Sequence, residues 1–96
     1  MKKINLAITG CLGRMGQQII KSAKLDKNFK IVVLTESKKI KKKTNGININ
    51  TNTEQIFKKS DLIIDFSTPK CTFQVLKIAS KLKKRIVIGT TGFSKN

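Results

Sequence analysis

The chain has no histidine, no tryptophan and no tyrosine, and only one proline and two cysteines. Without imidazole there is no histidine general base, no histidine metal ligand and no Ser-His or Cys-His pair. Cys11 and Cys71 lie far apart rather than in a C-x-x-C spacing, so they cannot by themselves build a zinc site. They read as free thiols of a cytosolic chain. Acids are scarce as well: 5 Asp plus Glu face 21 Lys plus Arg, for a formal net charge of +16. No apolar run reaches the ~18 residues of a membrane span. Asn5 and Gly10 interrupt any signal-peptide core behind the basic start. A cytoplasmic protein without membrane contact is expected.

What is present fits one small domain: 96 residues, 39% of them hydrophobic, enough for a single core. Nineteen of the 21 cations are Lys, spread from Lys2 to Lys95, beside fourteen Ile and seven Asn. That profile looks like a coding bias toward Lys, Ile and Asn. A nucleic-acid reader would draw on Arg for base edges and aromatics for stacking. This chain has two Arg and five Phe, and no nucleic-acid partner is expected.

Residues 3–9 are apolar and β-prone and run straight into Gly10, as a buried strand does. Residues 14–25 place Met15, Ile19, Ile20, Ala23 and Leu25 near helical spacing. Residues 29–35 form a second apolar strand without strict alternation, expected where helices cover both faces. Residues 36–52 hold a Lys cluster, read as solvated loop, then a turn at Thr44-Asn45-Gly46 and a brief edge strand over 46–50. Thr53 caps a short helix through Lys59, and residues 62–66 are a third strand. Thr68-Pro69 opens a helix to about Lys84, burying Phe73, Leu76, Ile78, Ala79 and Leu82. Residues 85–88 are the last strand. Strands alternating with helices predict an α/β fold, a Rossmann-like parallel sheet with helices on both faces. Ligands of such sheets bind at the carboxyl ends of the strands.

Three clusters fall at those ends. Gly10-Cys11-Leu12-Gly13-Arg14-Met15-Gly16 follows a strand and opens a helix, placing bare backbone amides where a pyrophosphate approaches. Its G-x-x-G-x-x-G spacing is one residue off the usual dinucleotide fingerprint, with Leu12 where the second glycine stands. Without a ligand it reads as a tight strand-to-helix turn. Glu36 ends the second strand, 20 residues beyond Gly16, where a carboxylate accepts hydrogen bonds from ribose hydroxyls. Ser37, Lys38 and Lys39 follow it and suit a 2′-phosphate. Gly89, Thr90 and Thr91, with Gly92 and Phe93, end the last strand, and small residues there suit the nicotinamide end of a cofactor. Asp65-Phe66-Ser67-Thr68-Pro69 borders the same groove. Cys11 at a helix start admits a lowered thiol pKa, but packing against the sheet is its simpler role.

Together the segments resemble the 4-hydroxy-tetrahydrodipicolinate reductase (dihydrodipicolinate reductase) family of bacterial lysine biosynthesis. Gly10-x-x-Gly13-Arg14-Met15-Gly16, Ile64-Asp65-Phe66-Ser67-x-Pro69 and Val87-Ile88-Gly89-Thr90-Thr91-Gly92-Phe93 carry the likeness, in register over the whole chain. The resemblance implies NAD(P)H-dependent reduction of a cyclic imine-type dicarboxylate to tetrahydrodipicolinate, in a homotetramer. It implies that Gly10, Cys11, Leu12, Gly13, Arg14 and Met15 bind the pyrophosphate and adjoining groups, Glu36 the ribose, and Gly89, Thr90 and Thr91 the nicotinamide side. The family keeps its proton donors, a His pair and a Lys, in a second domain that binds substrate and forms the tetramer. This chain stops at Asn96 without a His, so it is expected to be the cofactor-binding domain alone, an incomplete form of the family architecture, and inactive by itself. Alternatives are a stand-alone NAD-binding or sensing domain and another two-domain amino-acid-pathway dehydrogenase.

Overall fold

The computed structural model describes residues 3–89. In chain order the elements are β1 (Ile4–Thr9), α1 (Arg14–Lys24), β2 (Phe29–Thr35), β3 (Lys43–Thr44), β4 (Ile47–Asn50), α2 (Glu54–Phe57), β5 (Leu62–Asp65), α3 (Pro69–Leu82) and β6 (Arg85–Ile88). The strands form one six-stranded sheet in the order β3-β4-β2-β1-β5-β6. Every pairing is parallel except β3 with β4. The fold is therefore the expected Rossmann-like α/β sheet, with a small antiparallel hairpin added at one edge.

The apolar strands explain why β1 is central. Leu6 and Ile8 point into one core with Ile20 and Ala23 of α1, and Ala7 points into the other with Phe57, Val75 and Ala79 of α2 and α3. A strand buried on both faces has no polar side to show solvent. Between Leu6 and Ala7 the β1–β2 register shifts, Leu6 facing Ile31 and Ala7 facing Val33. Val32 is thus an extra residue, a bulge, which lets Ile31 and Leu34 share one face while Val33 takes the other.

Three readings from the sequence are corrected. Met15 and Leu25 are 50% and 88% exposed, because α1 buries Gly16, Ile20 and Ala23, and both lie off that stripe. Phe73 is 63% exposed, because α3 buries Thr72, Val75 and Ala79. The Lys cluster is not all solvated loop. Lys43–Thr44 pairs with Ile47–Asn50, so residues 47–50 sit one place in from the edge. Asn45 and Gly46 both have positive φ, 56° and 75°, as a two-residue hairpin turn requires. Among the described residues, no helix is long and apolar enough to cross a membrane.

Candidate functional site

The carboxyl ends of the strands form one register row. Thr9 faces Thr35 on one side and Asp65 on the other, with Asn50 and Ile88 flanking them. Thr9, Thr35 and Asp65 are all fully buried, so a floor of polar groups lies under the loops. It is satisfied internally: the Thr35 hydroxyl donates to Asn52 Oδ1 at 2.6 Å, and the Thr9 hydroxyl donates to Asp65. Sheet order reverses at β1, since α1 leads outward to β2 while β5 adds on the opposite side. This is the switch point where such sheets open a crevice.

The glycine loop stands over that point, and its three glycines have different reasons to be there. Gly10 turns with φ 68°, and a Cβ on it would meet the Phe66 carbonyl oxygen at 2.5 Å. A Cβ on Gly16 would meet the Gly10 oxygen at 2.3 Å, so this glycine lets α1 pack onto its own loop. Gly13 differs: its Cβ would have only the Gly10 oxygen near it, at 3.4 Å. Folding therefore explains Gly10 and Gly16. At Gly13 a side chain would instead fill the open space in front of the helix.

That space faces amides. Gly13 is the N-cap of α1, with no side-chain cap, and the first turn carries no acid. The N–H groups of Arg14, Met15 and Gly16 have no intrahelical acceptor, as in any first turn. Earlier amides of the loop are engaged. Gly10 and Cys11 donate to the Thr35 carbonyl at 3.0 and 3.3 Å, and Gly13 donates to the Gly10 carbonyl at 3.1 Å. Leu12 donates to Glu36 Oε2 at 2.6 Å, a charge-assisted bond that brings the acid at the end of β2 directly against the loop. Of the six loop residues expected to bind, the structure thus gives open amides to Arg14 and Met15. It leaves Leu12 held by an exchangeable side chain and makes Gly10, Cys11 and Gly13 the frame.

The Cys11 side chain is buried in the core beneath α1. Burial, then the nearby Glu36 charge, push its thiol up to about 11 from 9.0. At neutral pH it is a packed thiol, not a nucleophile. Gln17, not foreseen from the sequence, donates from Nε2 to the Cys11 carbonyl at 2.7 Å and pins the loop to α1. Its helix position one turn past Gly13 was the available signal. Lys38 and Lys39 are exposed beside Glu36.

At the other end, Gly89 donates its N–H to the Asp65 carbonyl at 2.8 Å. A Cβ on Gly89 would lie 1.9 Å from the Phe66 ring. Thr90 and Thr91 lie outside the described residues. Among the described residues no group of three or more Cys, Asp or Glu side chains is placed to hold a metal ion.

A mostly parallel sheet wound both ways from its first strand, with a glycine turn opening an uncapped helix at the switch point, defines the Rossmann-like class of α/β domains. Comparison with known proteins narrows the class. The family described as "Dihydrodipicolinate reductase, N-terminus" matches residues 4–96. The chain belongs to that reductase family. It is 70% identical over 94 residues to the 4-hydroxy-tetrahydrodipicolinate reductase of Pelagibacter ubique, covering 98% of this chain and 36% of that protein. It is 38% identical over 89 residues to the Campylobacter jejuni protein of the same name, covering 93% of this chain and 32% of that protein. A solved dipicolinate-bound dihydrodipicolinate reductase from Paenisporosarcina sp. TG-14 superposes with TM-score 0.80 at 27% identity, over 97% of this chain and 39% of that one. A Rex-family repressor reaches TM-score 0.80 at 16% identity over 99% of this chain and 49% of that one, a likeness of fold alone. The chain spans roughly a third of the length of the curated relatives it matches.

Proposed function

We propose that these residues are the cofactor-binding domain of an NAD(P)H-dependent reductase that converts 4-hydroxy-tetrahydrodipicolinate to tetrahydrodipicolinate in the diaminopimelate route to lysine, in the cytoplasm. The observation that carries this reading is Gly13. It is the one loop glycine the fold does not need, and it stands before uncapped amides at the positive end of an 11-residue helix. That seat suits the diphosphate of a dinucleotide.

The donor set fits such a group. The Arg14 and Met15 amides would hold the diphosphate and Glu36 the ribose hydroxyls, with the Leu12 amide, which Glu36 now accepts, beside them. The Arg14 guanidinium, on an exposed residue at the helix start, adds charge complementarity. Gly89, with Thr90 and Thr91 beyond it, borders the nicotinamide side. When bound, the nicotinamide supplies a hydride. The contribution of this chain is to hold and orient the group that carries it. Glu36 favours a free 2′-hydroxyl, and Lys38 and Lys39 offer cations to a 2′-phosphate, so both NADH and NADPH are accepted. The chain has no His, and the substrate, its proton donor and the tetramer contacts belong to the remainder of the family's architecture. These 96 residues alone turn over no substrate.

The test is a fluorescence titration of NADH and NADPH against the chain and against Glu36→Ala. The wild type binds both, and the variant loses about tenfold for NADH. Equal NADH affinities for the two proteins would remove Glu36 from the site. Steady NADH oxidation by the chain with substrate would overturn the assignment of catalysis elsewhere.

A further inference from the structure

Asp65 is one of five acids in the chain, and it is fully buried at the switch point. Its Oδ1 accepts hydrogen bonds from the Thr9 hydroxyl, from the Ser67 hydroxyl at 2.5 Å and from the Ser67 N–H at 3.3 Å. Its Oδ2 accepts from the Thr72 hydroxyl. The donors come from three places: the end of β1, the turn after β5 and the first turns of α3. Its two oxygens accept all four of these bonds, so they fix the direction of every hydroxyl that donates to them. These bonds tie β1, the turn after β5 and α3 to one another, so the value of the carboxyl group there lies in geometry.

What that geometry holds is visible at the next residue. Phe66 donates its N–H to the Thr9 carbonyl at 3.3 Å. Its carbonyl oxygen lies 2.5 Å from where a Gly10 Cβ would stand, and its ring lies 1.9 Å from where a Gly89 Cβ would stand. The Asp65 carbonyl itself receives the Gly89 N–H at 2.8 Å. One dipeptide therefore touches the start of the phosphate loop on one side and the end of β6 on the other.

We propose that Asp65 is a positioning residue, which through Phe66 fixes the diphosphate loop and the Gly89 end in one relative placement. This rests on the nucleotide reading above and adds a prediction to it. A ligand that spans both ends depends on that placement. A ligand that reaches only the loop and Glu36 does not.

The experiment compares NADH with ADP-ribose, which keeps the diphosphate and the adenosine half and lacks nicotinamide, on the full chain. Asp65→Asn keeps the shape but puts an amide donor against hydroxyls that now donate. The NADH affinity falls about tenfold more than the ADP-ribose affinity. Partial unfolding lowers both affinities by the same factor and leaves their ratio unchanged, so the ratio separates positioning from stability. Ser67→Ala removes one donor at the half-buried rim of the network and moves the ratio the same way by a smaller factor. It decides the matter alone should Asp65→Asn not fold. An unchanged ratio in Ser67→Ala, or in folded Asp65→Asn, overturns the proposal while leaving the nucleotide reading standing. A wild-type chain that binds neither ligand overturns both.

Discussion

Two helices of this chain begin at the carboxyl end of a central strand, and they begin differently. α3 starts behind Thr68, whose hydroxyl oxygen accepts the Cys71 N–H at 3.3 Å, with Pro69 in the first turn. α1 starts behind Gly13 with no side-chain cap. Even the four-residue α2 has its cap, Thr53, taking the Ile56 N–H at 3.3 Å. A side-chain cap at Gly13 would be the ordinary solution, worth a few tenths of a kcal/mol over glycine. The sequence closes the start of α3 with its own oxygen and leaves the start of α1 open. An open positive helix end over a polar, fully buried strand row is a place for an external anion.

The contrast can be tested by closing what is open. The largest effect is expected at Gly16→Ala, where the new methyl meets the Gly10 oxygen at 2.3 Å and the Cys11 Cα at 2.8 Å. Both are backbone atoms and cannot swing aside. A loss of about 3 kcal/mol or more is expected in a urea melt, enough to unfold much of a domain this small. Gly13→Asp comes next and separates stability from binding. Its φ of −73° suits any residue, and its carboxylate supplies the missing cap, so stability rises by a few tenths of a kcal/mol. Nucleotide affinity falls by about a hundredfold or more, because the carboxylate fills and charges the proposed diphosphate seat. A Gly13→Asp protein that still binds ADP-ribose like the wild type would show that the open helix start holds nothing.

Thr68→Ala makes the reverse change, opening what is closed. Loss of the hydroxyl that accepts the Cys71 N–H lowers stability by about 1 kcal/mol, read as a lower urea midpoint at constant slope.

Much of this arrangement was legible in the sequence, and the reasons are local. Ile4–Thr9, Phe29–Thr35 and Leu62–Asp65 are apolar runs that end at a glycine or at polar residues, and a run buried on both faces has few alternatives to a central parallel strand. Thr68-Pro69 and the Gly10 turn announce themselves by backbone chemistry. What escaped depended on partners far along the chain. Phe73 reads as core because it is apolar, but the stripe of α3 is set by Thr72, Val75 and Ala79, and Thr72 is buried because Asp65 needs a donor. Lys43–Thr44 has no strand composition and pairs only because Asn45 and Gly46 reverse the chain onto β4. The bond from Leu12 to Glu36 joins residues 24 apart, and no local pattern shows it.

The smallest predicted effect concerns Cys11, where burial and the Glu36 charge work together. The folded thiol titrates near 11 instead of 9.0. A raised pKa means the folded state holds its proton more tightly than the unfolded chain does. The contribution is therefore constant below about pH 9, and stability declines as pH rises from 9 toward 11 while only the unfolded thiol ionises. At pH 8 the same burial makes Cys11 slow to alkylate. Cys71, half-buried at the start of α3, reacts with iodoacetamide first, and both react at similar rates in denaturant. A Glu36→Gln protein removes the second of the two causes and leaves burial in place, so Cys11 then alkylates somewhat faster at pH 10 without becoming accessible at pH 7. Equal rates for the two cysteines in the native protein at pH 8 would show that the floor under the open helix start is not sealed. The polar row would then be wet, and the difference between the two helix starts would reflect solvation rather than a ligand.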